Sequence, residues 1–343
     1  MSEINRQLVL RHRPSAEVQD SDFELREGPV PAPAEGQVLL RTLYFSFDPT
    51  QRGWLNDVPS YLPPVQIGEP MRAGGVAQVV ESRHPKYRAG EIVSGTLSWQ
   101  DYIVTDGGGL TGLSKVPSGI PLTWPLGVLG ITGLTAYFGM LELGRPREGE
   151  TVVVSGAAGA TGSVAGQIAR LQGARVIGSA GGPEKCRWLT EVAGFDAAID
   201  YRNENSQERL QALCANQINV FFDNVGGPIL DACLLNMARF GRIVLCGGIS
   251  SGYGLELPPG PKHYMQLVIR SCRMEGFIVL NYMDRFPEAI QTLAGWVREG
   301  RIRFEEDIQE GFENCPATLR RLFQGRNFGK QLLKVAEPPI ALP

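Results

Sequence analysis

The small residues between positions 157 and 162 have the spacing that points most directly to chemistry. Ala157, Gly159 and Gly162 give A-x-G-x-x-G, a variant of the dinucleotide-binding fingerprint G-x-G-x-x-G. In that turn, small residues permit a tight bend, a close approach of the backbone to a pyrophosphate and close packing of the next helix. We therefore predict a dinucleotide site at Gly159 and the residues after it, with an ordinary glycine-rich turn as the alternative.

The residues that end the next strand predict which dinucleotide is bound. An NAD site normally has Asp or Glu there to bind the ribose 2′-hydroxyl, whereas this chain has Ser-Ala-Gly-Gly at 179–182 and then Lys185. No carboxylate stands at the strand end to repel a 2′-phosphate, and Lys185 could pair with one, although its neighbour Glu184 opposes this. The sequence therefore predicts NADPH as the cofactor. For Lys185 a solvated helix charge is the alternative.

A strand, a turn, a helix and a second strand are needed to position these residues. Residues 151–154 are a β-branched apolar run, 164–171 have apolar side chains at helical spacing, and 174–179 form another apolar run, which completes a βαβ unit. Further strands are predicted at 197–200, 218–223, 242–246 and 274–279, and further helices at 185–193, 206–214, 229–237 and 261–270. Six strands in this alternation predict an α/β fold with a doubly wound parallel sheet.

The remaining sequence predicts a second domain. Before residue 126, apolar runs of strand length recur about every ten residues between glycines and prolines, a pattern typical of a partly open β-barrel. Residues 284–300 predict a helix, and 301–343 return to strand, helix and strand. We therefore expect a dinucleotide-binding domain at 126–300 and a substrate domain made of 1–125 and 301–343.

Charge and composition exclude several classes of function. The 343 residues carry a formal net charge of −3, which argues against a general binder of nucleic acids or membrane surfaces. Residues 1–20 lack the apolar segment of a secretory signal, and the prolines within 120–141 disfavour a membrane span. All cysteines lie from Cys186 onwards without paired spacing, so we expect a reduced, cytoplasmic protein.

Several motifs in a fixed order resemble one enzyme family. They are FDPTQRG at 47–53, GLTAY at 133–137, AAGATGS at 157–163, FDNVGG at 222–227, FGRIVLCG at 240–247, RMEGF at 273–277 and EGFEN at 310–314. Over essentially its whole length the chain resembles the zinc-independent medium-chain dehydrogenases/reductases, the branch of prostaglandin reductases, plant double-bond reductases and bacterial NADPH-dependent curcumin reductases. Among these groups, the motifs fit the bacterial curcumin reductases best. The resemblance implies a Rossmann domain, a GroES-like domain and a homodimer formed through the edge strand at 274–279.

The metal ligands of the zinc-dependent relatives are missing from this sequence. Those relatives hold a catalytic zinc with Cys and His from the first domain and Cys from the second. Here no cysteine precedes Cys186, and Glu69 stands where the relatives' G-H-E motif supplies a ligand. The histidines His12, His84 and His263 are widely spaced. We therefore expect no metal.

Without a metal, the resemblance implies reduction of an activated double bond. Hydride would reach the β-carbon of an α,β-unsaturated ketone or aldehyde, while the enzyme hydrogen-bonds the carbonyl as enolate charge develops. Tyr61 and Tyr264 are the candidate donors, although strict alignment puts Ile269 where relatives have their tyrosine, and for both a packed ring with its hydroxyl at the surface is the alternative. Arg52 and Tyr282 are predicted to contact substrate, and Arg52 could equally be structural.

The resemblance also implies the cofactor contacts. They are Thr132, Ala160, Thr161, Gly162, Ser163, Lys185, Tyr201, Asn224, Cys246, Gly247, Gly248, Ile249, Ser250, Phe277, Ile278, Val279 and Asn327. From the residues alone, Asn224 could simply follow a strand in a turn, and Cys246 could be a buried apolar side chain. Two other functions stay open: a quinone reductase on the same fold, and a non-catalytic NADPH-binding protein.

Overall fold

The computed structural model describes residues 4–109, 112–256 and 258–342. Its strands are β1 Ile4–Leu10, β2 Phe23–Pro29, β3 Val38–Ser46, β4 Arg72–Ser82, β5 Ile92–Ser98, β6 Tyr102–Thr105, β7 Ser114–Lys115, β8 Thr151–Val154, β9 Arg175–Ala180, β10 Ala197–Asp200, β11 Ile218–Asp223, β12 Met237–Leu245, β13 Arg273–Gly276, β14 Glu306–Glu310 and β15 Lys330–Lys334. Its α-helices are α1 Thr50–Gly53, α2 Ile131–Phe138, α3 Ala160–Leu171, α4 Pro183–Glu191, α5 Ser206–Cys214, α6 Gly227–Leu235, α7 Gln266–Ile269, α8 Phe286–Arg298 and α9 Cys315–Phe323.

The chain forms two compact units. The first contains the chain up to Leu126, Asp307–Asn327 and the chain from Gln331, and the second contains Gly127–Glu306 and Phe328–Lys330. The sequence predicts Leu126 in the second unit and residues 301–306 and 328–330 in the first, so the structure moves each of them to the other unit. Backbone hydrogen bonds give the reason for the difference, since Gly329 N donates to Ala158 O at 3.0 Å and Lys330 N donates to Glu305 O at 2.8 Å.

A parallel six-stranded sheet organises the second unit. Its strand order is β10-β9-β8-β11-β12-β13, and every neighbouring pair is parallel. Consecutive residues of β8 and β11, such as Val152–Val154 and Val220–Phe222, have no exposed surface. Because successive side chains in a strand point to opposite faces, both faces of the sheet are covered. This is the predicted doubly wound α/β architecture.

Antiparallel strands organise the first unit. A seven-stranded sheet has the order β14-β15-β3-β4-β5-β7, with β6 also paired to β3, and β1 pairs with β2 in a separate ribbon. The core of this unit lies around Trp99, which is fully buried against the rings of Phe23 and Phe47 at centroid distances of 5.0 and 5.8 Å. The predicted unit of short strands is therefore present.

One predicted helix is much shorter in the structure. A helix was expected over 261–270, but only α7 is α-helical there, and none of its residues is buried. Proline and glycine at 258–261 oppose helix formation upstream, and a helix with no buried face gains little from packing. Across 4–109, 112–256 and 258–342, no helix combines the length and apolarity needed to cross a bilayer.

Candidate dinucleotide-binding and active site

The fingerprint turn lies between β8 and α3, as the sequence predicts. Gly156 has a positive φ of 58°, and Ala157 N donates to Ser179 O of β9 at 2.9 Å. A Cβ at Gly162 would lie 2.4 Å from Gly156 O, so only glycine lets α3 come this close to the turn. No described side chain caps the N-terminus of α3. Its first N–H groups therefore face a cradle suited to a phosphate.

The end of β9 meets residues from the end of β10. A Cβ at Gly181 would lie 2.6 Å from Tyr201 Oη, so the tyrosine hydroxyl covers the glycine backbone. Tyr201 is exposed, and Lys185 lies half-buried in the first turn of α4. The structure thus brings the predicted Gly181 and Tyr201 together.

Sequence reasoning missed Asp200, the carboxylate at the end of β10. Asp200 Oδ1 accepts Gly182 N at 2.8 Å and Arg202 N at 3.1 Å, and Oδ2 accepts Asn203 Nδ2 at 2.7 Å. Burial opposes ionisation of this carboxyl, but these hydrogen bonds outweigh it and lower the pKa of Asp200. Its position at the end of the strand next to β9 was the available signal.

A buried polar network joins the ends of β8 and β11. Asp223 has no exposed surface, and its Oδ1 accepts Ser155 Oγ at 2.7 Å, Val225 N at 3.0 Å and Gly226 N at 2.9 Å. Its Oδ2 has no partner among the described residues. Desolvation raises the pKa of Asp223 despite the three donors. Ser155 in this network was also missed, and its position directly after β8 was the signal.

Asn224 is held in place by the same network. Its backbone N donates to Ser155 Oγ at 2.9 Å, and its Nδ2 donates to Ser155 O at 2.7 Å. These bonds fix the side chain at the carboxyl edge of the sheet, where ligands of doubly wound folds bind. They also fit the simpler interpretation of a strand-ending turn, so contact with a ribose stays a prediction.

The loop after β12 is tied to the loop after β11. Cys246 N and Gly247 N both donate to Asp223 O, at 2.9 and 3.1 Å, and Gly248 N donates to Tyr253 Oη at 3.0 Å. Ile249 N donates to Asn224 O at 3.3 Å. Desolvation, with a smaller contribution from the Asp223 charge, raises the pKa of the Cys246 thiol to about 12. The thiol is therefore protonated at neutral pH, as expected of a structural cysteine.

The residues predicted after β13 lie in two environments. Phe277 packs against Gly139, the residue that follows α2, since a Cβ on Gly139 would lie 2.6 Å from Phe277 Cζ. Val279 is buried and Ile278 is exposed. Tyr282 stacks on Phe138 with ring centroids 4.7 Å apart, so most of its ring serves packing.

Two other predicted residues of the second unit differ in exposure. Thr132 is buried in the first turn of α2, and its Oγ1 donates to Gly127 O at 3.0 Å. Tyr264 is 57% exposed. The structure gives Tyr264 the surface position that the sequence analysis left as its alternative, and a role towards substrate stays a prediction.

The predicted residues of the first unit are Tyr61, Arg52 and Asn327. Tyr61 is exposed, and its hydroxyl hydrogen-bonds Thr50 Oγ1 at the start of α1. Arg52 is 2% exposed, donates to Pro14 O, Ala16 O and Asn56 Oδ1, and has its pKa lowered by desolvation.

These contacts fit the structural role that the sequence left open for Arg52, and its contact with substrate stays a prediction. Asn327 ends the stretch Asp307–Asn327 of this unit, after α9.

Within residues 4–109, 112–256 and 258–342, no group of three or more His, Cys, Asp or Glu side chains is arranged to hold a metal ion. The sequence-based expectation of a metal-free site therefore stays an expectation.

The parallel sheet and its glycine-rich turn define a protein of the dinucleotide-binding class. Family models described as "N-terminal domain of oxidoreductase" and "Zinc-binding dehydrogenase" match residues 6–113 and 160–295. The NADPH-dependent curcumin reductase of Escherichia coli K12 is 44% identical over 97% of each chain. The chain therefore belongs to the medium-chain dehydrogenase/reductase family, in its double-bond reductase group. The predicted enzyme class, oxidoreductase, is confirmed.

Two further relatives cover nearly the whole chain. The NADP(+)-dependent 2-alkenal reductase of Nicotiana tabacum is 37% identical over 97% of this chain and 98% of its own. The crystal structure of CurA from Vibrio vulnificus in complex with NADPH is 40% identical, with a TM-score of 0.91 over 97% of this chain and 100% of its own. These matches confirm the predicted fold class.

Proposed function

We propose that this enzyme uses NADPH to reduce the carbon–carbon double bond of α,β-unsaturated ketones and aldehydes. The observation that carries the proposal is the phosphate cradle of the second unit. Gly162 lets α3 approach the fingerprint turn closely, and no described side chain caps the N-terminus of that helix. Family membership supports the reaction, because relatives at 44% and 37% identity are named as NADPH-dependent curcumin and NADP(+)-dependent 2-alkenal reductases.

The residues beside β9 support NADPH over NADH. No acidic side chain occupies 179–182, and Asp200, the nearest carboxylate of the next strand, is engaged by three hydrogen bonds. Tyr201 and Lys185 stand at this end of the sheet, and a hydroxyl and an ammonium both suit a phosphate.

Within the proposed reaction, NADPH supplies the hydride when bound. A donor from the chain must then stabilise negative charge on the substrate carbonyl oxygen, and the α-carbon takes a proton from a hydroxyl or water. We assign the first role to Tyr61, because Thr50 fixes its hydroxyl while the side chain stays exposed.

Two further observations support the proposed compartment and the proposed assembly. All six cysteines are free thiols, which supports a reducing compartment such as the cytoplasm. The sheet ends at β13, and close to that edge Phe240, Val268 and Ile269 are 66%, 69% and 64% exposed. An edge strand and exposed apolar side chains in β12 and α7, the elements before it in the chain, favour pairing with a second copy, so a homodimer is proposed.

Loss of nicotinamide absorbance tests the function directly. NADPH and NADH are each supplied with a medium-chain enone, an aromatic enone such as a curcuminoid, a quinone and a saturated ketone. Turnover of the enones with NADPH, giving the saturated ketone, is expected. Turnover of the quinone alone would replace the proposal by a quinone reductase. Tight NADPH binding without turnover of any of them would favour a binding protein, and a preference for NADH would contradict the cofactor assignment.

A further inference from the structure

Two side chains converge on Gly181, and one of them was not foreseen from the sequence. A Cβ placed on Gly181 would lie 2.6 Å from Tyr201 Oη and 2.9 Å from Arg202 Nε. The phenol and the guanidinium therefore both cover the same point of backbone at the carboxyl end of β9. In a doubly wound fold, this end of the second strand is where the adenosine ribose is recognised.

Asp200 holds the ends of β9 and β10 together at this point. The side chain is nine-tenths buried, and its carboxylate binds the backbone N–H groups of Gly182 and Arg202 together. Tyr201 N donates to Ala180 O at 3.1 Å, which extends the connection between the two strand ends. A carboxylate that would otherwise repel an anion is thus turned inwards as a positioning group, and Tyr201 and Arg202 remain at the exposed surface.

The charges around this point are mixed. Glu184 is exposed in the first turn of α4, and Glu204 is engaged by Asp200 N at 2.8 Å and by Arg209 at 2.8 Å. Lys185 and Arg202 are the cations near the two strand ends. A guanidinium offers a planar pair of donors that matches a phosphate, whereas an ammonium is a point charge.

We infer that Arg202 is a specificity-determining residue that recognises the 2′-phosphate of the dinucleotide beside Tyr201, with Asp200 as its positioning residue. This inference rests on the proposed function, since it requires NADPH as the cofactor. The residue that would distinguish NADPH from NADH thus lies two positions after β10, and a sequence motif that covers only the end of β9 does not include it.

The test is calorimetric binding of 2′,5′-ADP and 5′-AMP, two fragments that differ only in the 2′-phosphate. Arg202→Gln is expected to weaken 2′,5′-ADP binding about tenfold, the equivalent of one charge-assisted hydrogen bond, and to leave 5′-AMP unchanged. The affinity of Arg202→Lys for 2′,5′-ADP should lie between those of the wild type and Arg202→Gln. Arg239→Gln is the matched control, because Arg239 is also exposed in the second unit but lies in β12 against Phe240.

The outcomes separate the inference from the function on which it rests. If Arg202→Gln binds 2′,5′-ADP as tightly as the wild type, or if it weakens 5′-AMP equally, the inference is overturned while NADPH use stands. If the wild-type protein binds 2′,5′-ADP no better than 5′-AMP, the cofactor assignment itself is contradicted and the inference falls with it. Unchanged melting temperatures would show that all three variants are folded.

Discussion

At the scale of the residue, the exposure and partners of each candidate decide which role it can fill. Arg52 and Tyr61 are both in the first unit and lie close together in the sequence, yet Arg52 is buried and engaged with backbone carbonyls. Tyr61 is exposed with an oriented hydroxyl. A group that must meet a substrate has to be both oriented and accessible, and only Tyr61 of the two satisfies this.

The role of Tyr61 predicts a specific kinetic change. Tyr61→Phe removes the hydroxyl and should lower kcat for enones about 100-fold, the usual effect of deleting one oxyanion donor. NADPH affinity should not change. Thr50→Val should show a weaker effect of the same kind, because it only releases the hydroxyl. The control is Tyr264→Phe, and an equal or larger loss of kcat in that variant would reverse the assignment.

At the scale of the element, close contacts between strands, turns and helices set the geometry of the site. The approach of α3 to the fingerprint turn depends on Gly162, as the A-x-G-x-x-G spacing predicts. The network of Ser155, Asp223 and Asn224 could not be read from any local spacing. Its members belong to β8 and β11, which are far apart in sequence and meet only through the order of strands in the sheet.

Gly162→Ala should separate α3 from the turn. The added Cβ would meet Gly156 O at 2.4 Å, so the helix must shift and its first N–H groups move with it. We expect NADPH binding to weaken by more than about tenfold, measured by nucleotide fluorescence. Gly295→Ala in α8 is the control, since a Cβ there meets nothing within 4 Å. Wild-type affinity in Gly162→Ala would contradict the cradle.

A buried charge cluster joins three parts of the first unit. Asp101 precedes β6 and pairs with Arg6 of β1 at 2.7 Å and with Arg41 of β3 at 2.6 Å. Burial opposes its ionisation, but the hydrogen bonds and charges of the two arginines outweigh it and lower the pKa of Asp101. Loss of this carboxylate would remove the nearest negative charge from both guanidinium groups, which is most costly for Arg41, whose side chain is 16% exposed.

The Asp101 cluster predicts a pH-dependent stability. Because its folded-state pKa lies below the unfolded value of about 3.9, the stabilisation is complete above that value and is lost as the pH falls through the folded-state pKa. Asp101→Asn should therefore lower the free energy of unfolding by about 3 kcal/mol at pH 7. The difference from wild type should shrink steadily below pH about 4. A pH-independent difference in urea denaturation would contradict this account.

At the scale of the whole molecule, the sequence predicts most of the architecture. The six parallel strands and the antiparallel unit follow from apolar periodicity, glycine placement and family motifs. The structure places residues 301–306 and 328–330 in the other unit than the sequence predicts, because Gln167 of α3 hydrogen-bonds the backbone of Arg303 and Gly329 N donates to Ala158 O, and neither contact leaves a local sequence pattern. The helix expected over 261–270 is short because only Leu267 of its apolar residues packs on the core, whereas Met265, Val268 and Ile269 are exposed.

The exposed apolar residues of α7 lead to a prediction about the proposed homodimer. Val268→Glu places a charge on the exposed apolar surface beside the β13 edge, and should convert a dimer into a monomer in light scattering after gel filtration. Ile67→Glu is the matched control, because Ile67 is 61% exposed in the first unit. A wild-type protein that is monomeric at micromolar concentration would contradict the proposed homodimer.

The central claim is hydride addition to the β-carbon of an enone. The most direct test is one turnover experiment with NADPH deuterated at the transferable position and a medium-chain enone, followed by NMR of the product. The account predicts a saturated ketone with one deuterium on the β-carbon. Deuterium on the former carbonyl carbon, in an allylic alcohol with its double bond intact, would contradict it.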